Sequence, residues 1–358
     1  MAAKEPLILV INPGSTSTRV GLFDGERPRQ DKTVRHPPEE LNRFATLWDQ
    51  LEFRLAFVWD ALAEWTCSVM DLDAVVGRGG LLKPVDGGVY RVTERMLEDA
   101  RRGIQGQHAA NLGCALAWEV ARRADVPAFV VDPVSVDEFE PLARLSGHPQ
   151  IPRRSLTHAL SVHAIARDAA HRLGRPLEQT RFIVGHLGGG ISVCAVRSGR
   201  IIDANDASSE GPFSPERTGG LPLQPVITLC FSGRVTESEM RRMVMGQGGL
   251  VAYLGITDAT AVEKRIAQGD TYAAQVYEAM AYQIAKEIGA MAAVLNGRVD
   301  AILLTGGLSR SDLLVRWIRQ RVEFIAPVIV LSEDMEMRAL AAGARRVLMG
   351  EETAKEYV

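Results

Sequence analysis

Two short segments hold residues whose types and spacing suit the gripping of phosphate. In Asn12-Pro13-Gly14-Ser15-Thr16-Ser17-Thr18-Arg19, small and hydroxyl-bearing residues separate two β-branched runs; in His186-Leu187-Gly188-Gly189-Gly190, a triple glycine does the same. A turn without bulky side chains lets backbone N–H groups approach phosphate oxygens, and the Ser and Thr hydroxyls add donors, with Arg19 following. Either segment alone reads sooner as an ordinary β-hairpin. Two of them at matching places favour a pair that grips a polyphosphate from both sides of a cleft. Thr305-Gly306-Gly307, at the end of a short apolar run, offers close backbone approach to a nucleoside.

Charged candidates fall at run ends or in turn-rich stretches. Asp132 closes the run Ala128 to Val131, the place where ligands gather in open α/β sheets. Arg78 stands between glycines after Val75 and Val76, which favours function over a surface charge. Arg217 lies in EGPFSPERTGGLP, a Pro/Gly-rich stretch that reads as a mobile active-site loop, although the residue alone is as readily a surface charge. On one helix, His158 and His163 would stand about 140° apart, so they cannot share a metal from one face; one can act while the other packs. His186 sits at the edge of the second loop, or serves as a capping or core histidine. His36, His108, His148 and His171 read as structural.

These residues need elements to position them, and the chain repeats its elements. Leu7 to Glu26 and Arg181 to Arg200 each read as strand, small-residue loop, strand and tight turn, at Asp24-Gly25 and Ser198-Gly199. DAVVGRGG (73–80) and DAILLTGG (300–307) each put a glycine pair at the end of a buried strand. The second pair is spaced more widely than the first, which predicts a duplicated domain with an insertion in copy two. His148-Pro149-Gln150-Ile151-Pro152 is the expected crossing point between copies. The spacing predicts a core helix over Tyr272 to Leu295, stopped by Asn296-Gly297, another over Ala109 to Ala124, and a buried strand over Ala128 to Val131.

Other classes are set aside. The chain contains no Gly-Lys dipeptide and no GxGxxG, GxSxG or HExxH string, so P-loop, dinucleotide-binding, serine-hydrolase and zincin readings lose their support. With 358 residues, 46% apolar and 24% charged, the chain is long enough for about two domains without staples. A net charge of −3 makes nucleic acid and anionic membranes poor partners. An opening apolar run of only Leu7 to Ile11, and no run long enough to span a membrane, point to the cytoplasm. Cys67, Cys114, Cys194 and Cys230, scattered and without CxxC spacing, read as buried thiols.

Taken in order, INPGSTSTR, VVGRGGLLKPV, VVDPVS, RRSLTHALSVHAIAR, GHLGGGIS, EGPFSPERTGGLP and LLTGGLS resemble the acetate and butyrate kinase family of the actin, Hsp70 and sugar-kinase superfold, most closely the butyrate kinases. The resemblance runs over nearly the whole chain. It implies an α/β fold of two duplicated ribonuclease-H-like domains flanking a nucleotide cleft. These are residues 1–150 with 334–358, closed by the last helix, and residues 151–333. It also implies reversible phosphoryl transfer from ATP to a short-chain carboxylate, giving the acyl phosphate and ADP, with Mg²⁺, in a homo-oligomer. Acetate or propionate kinase, a sugar kinase and an ATP-switched scaffold are the alternatives.

Residue by residue, the resemblance implies that Asn12 lies near Mg²⁺ and the transferred phosphate and that Gly14, Ser15 and Thr16 form the first loop. Arg19 matches a basic residue that is usually Lys. Asp132 corresponds to the essential Asp, His158 to the transition-state histidine, Arg217 to an active-site arginine, and His186 with Gly188, Gly189 and Gly190 to the second phosphate loop. Thr305, Gly306 and Gly307 fall where adenosine lies. Two departures stand out. Acetate kinases carry an Arg before a VVHGG string, whereas here Ala74 precedes Val75 and Arg78 takes the histidine position as carboxylate binder. In SEDMEMRALAAGA the metal-linked acid is Glu336, with Glu333 and Asp334 as rivals.

Overall fold

The computed structural model describes residues 4–333 and 335–358. The chain divides into two compact units, residues up to Asp137 with Met335–Val358, and residues 138–333. The division falls before the His148 to Pro152 stretch because Glu138 already belongs to the second unit. Its buried carboxylate accepts from Ile201 N at 2.7 Å and pairs with His163 Nε2 at 3.2 Å.

In the first unit the sheet is built from β1 (Leu7–Gly14), β2 (Ser17–Asp24), β3 (Arg27–Arg35), β4 (Ala74–Arg78), β5 (Val89–Arg91) and β6 (Ala128–Val131), in the order β3-β2-β1-β4-β6-β5. Apolar β1 and β4 lie at its centre. Polar β3 is the edge, where Pro28 beside a bulge costs no ladder bond in the interior and the charged residues guard against edge pairing. The helix Leu112–Ala124 packs on the sheet at β4, β6 and β1, and the helix Glu336–Leu348 packs against the same three strands. Gly77 and Gly113 permit this approach: a Cβ at Gly77 would sit 2.0 Å from Gly113 O, and one at Gly113 would sit 2.0 Å from Arg78 O. The predicted helix over Ala109 to Ala124 opens instead as a tight 3₁₀ turn, Ala109–Asn111, capped where His108 Nδ1 accepts from Ala110 N at 3.1 Å.

The second unit repeats the plan with β7 (Arg181–Leu187), β8 (Ile191–Arg197), β9 (Arg200–Ala204), β10 (Ala301–Thr305) and β11 (Val328–Val330), in the order β11-β10-β7-β8-β9. Both sheets therefore run as an antiparallel three-strand meander followed by parallel strands, β1-β4-β6 and β7-β10-β11. The two helices packed on it are Ala159–Arg172 and the 24-residue Thr271–Val294. The long helix ends at Asn296 and Gly297, both with φ > 0, as the Asn-Gly pair predicted. Glu336–Leu348 follows β11 in sequence yet packs on the first unit's sheet, and Ala159–Arg172 follows the first unit's strands yet packs on the second's.

The extra length of copy two lies between β9 and Thr271–Val294, in four short helices. The first of them, Leu223–Cys230, buries none of its residues. This corrects the expectation for the cysteines: Cys114 and Cys194 are buried, Cys67 is half-buried, and Cys230 is exposed. Among the described residues no helix is long and apolar enough to cross a membrane.

Candidate active site

In the first unit, β1, β4, β6 and the helix Glu336–Leu348 deliver their polar ends to one region. Asn12 Nδ2 donates to Glu336 Oε2 at 3.0 Å, and Arg78 Nη1 pairs with the same oxygen at 3.0 Å. Glu336 stands in its helix's first turn, where the dipole favours a carboxylate. Glu333 is exposed and outside this contact, and Asp334 lies outside the described residues. Arg78 is buried, and among the described residues its Nε–H has no hydrogen-bond partner. A buried donor left unmatched is costly, which gives an incoming anion something to gain. Asp132, just past β6, is 1% exposed and has φ of 40°, a left-handed conformation that a non-glycine residue adopts at a cost. Two bonds to Gly88 hold it: Gly88 N donates to Asp132 Oδ1 at 2.7 Å, and Asp132 N donates to Gly88 O at 3.0 Å.

The first loop is a two-residue hairpin in which Gly14 pairs with Ser17, leaving Ser15 and Thr16 exposed at the tip. Arg19, one strand position beyond Thr18, is turned to the sheet edge, where Nε donates to Asp31 Oδ1 at 3.0 Å.

In the second unit, His158 occupies the N-cap of Ala159–Arg172 rather than a position within it, so the helical angle between His158 and His163 does not apply. Its ring stacks on that of His186, centroids 4.0 Å apart and planes 10° from parallel, and its Nδ1 shares a hydrogen bond with Ser192 Oγ at 2.9 Å. His163 is instead buried against Glu138. Arg217 lies over the triple glycine, so close that a Cβ at Gly190 would be 2.3 Å from Nη1. Its Nη1 donates to Ala207 O at 3.2 Å, while its buried Nε finds no acceptor among the described residues. Burial pushes this guanidinium below its ordinary pKa, with Glu216 and Asp206 opposing. The segment around it is irregular, as its Pro and Gly content predicted, yet it is packed: Phe213 and Ser214 are buried, and Ser214 Oγ donates to Gly189 O at 2.5 Å. Gly306, with φ of 88°, brings its backbone against Leu187, where a Cβ would lie 2.5 Å from the carbonyl; Gly307 faces open space beyond the buried Thr305.

A sequence model of the Acetokinase family matches residues 149–357, more than half of the chain. The chain belongs to the acetokinase family. In fold this chain is similar to the acetate kinase of Porphyromonas gingivalis, with 18% identity, a TM-score of 0.78, and 96% of this chain and 100% of that one covered. It is also similar to a propionate kinase from Francisella tularensis, at 18% identity and a TM-score of 0.75, covering 94% of this chain and 98% of that one. A more distant likeness is to a ROK family protein from Streptococcus pneumoniae, at 12% identity and a TM-score of 0.53, covering 97% and 100%. These likenesses establish the α/β, actin-like ATPase fold class that the sequence implied.

The matched segment contains His158, His186, Arg217, Gly306 and Glu336 but not Asn12, Arg78 or Asp132. Among the residues that touch the candidate set, several were not singled out from sequence. Ser192 partners His158, Ser214 holds Gly189, and Arg54 binds the carbonyls of the first loop. The two serines lie inside quoted motifs, Ser192 at the end of GHLGGGIS and Ser214 in EGPFSPERTGGLP, without having been singled out. Arg54 lies within a helix, where an isolated arginine gives no signal.

Proposed function

We propose that this acetokinase transfers the terminal phosphoryl group of ATP to the carboxylate of a short aliphatic acid, butyrate or a branched analogue, and catalyses the reverse reaction. The observation that carries this reading is that two arginines, buried Arg78 and half-buried Arg217, each keep a buried guanidinium Nε–H without an acceptor among the described residues. A carboxylate is ionised near neutral pH, so its oxygen attacks phosphorus without a general base. What the protein must supply is positioning and charge. In this reading Arg78 binds the substrate carboxylate, while Arg217 and His158 neutralise the equatorial oxygens of the phosphoryl group in flight. His186 supports His158 by stacking. The first and second loops receive phosphate oxygens, and Gly306 and Gly307 the nucleoside.

The first unit's donor set suits Mg²⁺, a hard cation that takes few protein ligands and otherwise water and phosphate. Asp132 and Glu336 offer carboxylates and Asn12 a carbonyl oxygen; all donors are oxygen. When bound, the ion would neutralise phosphate charge. The part of this chain is to fix those oxygens, Asp132 through Gly88 and Glu336 through Arg78 and Asn12.

The butyrate reading rests on the resemblance of the ordered motifs to the butyrate kinases, with Arg78 in VVGRGGLLKPV a departure from the acetate kinase pattern. The second reading, an acetate or propionate kinase, draws on the fold neighbours. A methylene in an apolar pocket is worth about 1–3 kcal/mol, or roughly 10–200-fold in kcat/KM. The series acetate, propionate, butyrate, isobutyrate and isovalerate therefore separates the readings. A maximum at four or five carbons supports butyrate, a maximum at two or three replaces it, and turnover of glucose alone overturns both.

A further inference from the structure

We propose that Arg54 is a positioning residue for the first hairpin loop, turning the loop's N–H groups outward and placing a fixed positive charge beneath the phosphate they receive. The inference deepens the reading of that loop as a phosphate loop and rests on it.

Arg54 lies on the helix Leu51–Glu64 and is fully buried, with 0% of its surface exposed. Its guanidinium is spent on the loop. Nη1 donates to Gly14 O at 3.0 Å, Ser17 O at 2.8 Å and Thr18 Oγ1 at 3.0 Å; Nη2 donates to Ser15 O at 3.4 Å. Gln50 Oε1, one turn back, accepts from Nε at 3.1 Å and Nη2 at 3.0 Å and fixes the fork. The remaining carbonyl, Thr16 O, accepts from His36 N at 2.8 Å. All four consecutive carbonyls of the loop are thus drawn to the protein side. In a planar trans peptide the N–H points opposite to the C=O, so the N–H groups of Ser15 and Thr16, both exposed, face away. A row of outward N–H groups is the backbone form of an anion site.

The charge is unusual as well. Among the described residues no carboxylate pairs with Arg54; its acceptors are carbonyls, a hydroxyl and an amide. Buried charges are ordinarily paired. Burial alone lowers its pKa, to about 10, which leaves it charged at neutral pH. A cation without a counter-ion, buried directly behind an exposed anion-binding tip, raises the affinity of that tip for phosphate by an amount that one new carboxylate would cancel.

Gln50→Glu makes that test with the least disturbance, because it keeps size and acceptor and adds only the counter-charge. Arg54→Lys and Arg54→Met remove the fork, with and without the charge. Binding of AMP, ADP and ATP to the intact protein is measured by titration calorimetry, alongside the thermal midpoint. For Gln50→Glu the expected result is weakening that grows with phosphate number, from under about twofold for AMP to roughly tenfold for ATP, with no fall in thermal midpoint. Arg54→Met weakens ATP at least as much and lowers the midpoint, and Arg54→Lys falls between. Unchanged ATP binding in Gln50→Glu, or an equal change for all three nucleotides, overturns the proposal. Should Arg54→Met fail to fold, Gln50→Glu still decides. Binding is read without turnover. If wild-type protein makes no acyl phosphate while Gln50→Glu shows the graded loss, the carboxylate reading fails and the Arg54 inference stands.

Discussion

The two hairpin loops occupy the same place in two copies of one fold, and they are held in opposite ways. The first, Gly14 to Ser17, has one glycine; its carbonyls are drawn inward by Arg54 from behind, and its tip residues Ser15 and Thr16 are exposed. The second, Gly188 to Gly190, has nothing but glycine, and its cation, Arg217, lies across its face. One loop borrows its charge from beneath and carries side chains at its tip; the other takes its charge from above and leaves no room for a side chain at Gly190. The two units thus share strand order through the meander and its parallel strands, while the hairpin turns differ, two residues between Gly14 and Ser17 against three between Leu187 and Ile191, and so does the means of attracting an anion.

Breaking either arrangement gives distinct outcomes. The largest effect is expected outside both loops, at Asp132, whose strained backbone is held by two hydrogen bonds to Gly88. Asp132→Asn should cost about 10²–10³ in kcat with nucleotide affinity largely kept, as steady-state rates and equilibrium titration of the same preparation will show. Next comes the glycine contrast. Gly190→Ala drives a methyl to 2.3 Å from the Arg217 guanidinium, whereas Gly14→Ala meets only the rotatable Ser17 Oγ at 3.1 Å. The first should lower kcat about 100-fold and the second only a few-fold; equal losses would erase the distinction between the loops. Ser192→Ala removes the partner of His158 Nδ1 and should slow turnover by about 2–10-fold, the worth of one hydrogen bond, with KM for ATP unchanged.

The smallest effect concerns the support of the first loop. His36 is buried on Phe53 and Phe57 and bonded to Thr18 Oγ1 at 2.8 Å. Burial, and then the charge of Arg54, hold its pKa below the ordinary value, against a smaller opposing pull from Glu40. Below about pH 6.5 the unfolded chain binds a proton that the folded one resists. This contribution to stability is therefore full above that pH and is lost as pH falls toward the lowered value. His36→Gln should flatten the acid side of the thermal-midpoint profile by ~2 °C between pH 7 and pH 5.5.

The parts of this fold that follow simple periods were legible in the sequence. Alternation and short apolar runs mark the hairpins, four-residue spacing marks Thr271–Val294, and the paired motifs reveal the duplication with its insertion. Parts that depend on distant contacts were not. Arg54 in LEFRLAFVW reads as a solvated charge on a helix, and its acceptors lie up to 40 positions upstream. Cys230 closes an apolar octapeptide that pattern alone sends to the core, yet nothing of that helix is buried. His158 lies in a stretch of helical pattern but forms the cap, a one-residue boundary difference that decides whether its ring can stack on His186. Glu336 is singled out over Glu333 by the family resemblance; its shared contact with Asn12 and Arg78 joins it to strands more than 250 residues away in the chain, which no local pattern shows.

The central claim is that a carboxylate oxygen itself attacks phosphorus, and isotopic labelling tests it most directly. Butyrate labelled with heavy oxygen in both carboxylate positions is incubated with ATP, Mg²⁺ and the intact protein, and the product is cleaved with hydroxylamine, which attacks carbon and expels phosphate. Direct transfer predicts phosphate carrying one heavy oxygen, in amount equal to the hydroxamate formed. Phosphate without the label, or ADP formed with no hydroxamate, would contradict the account.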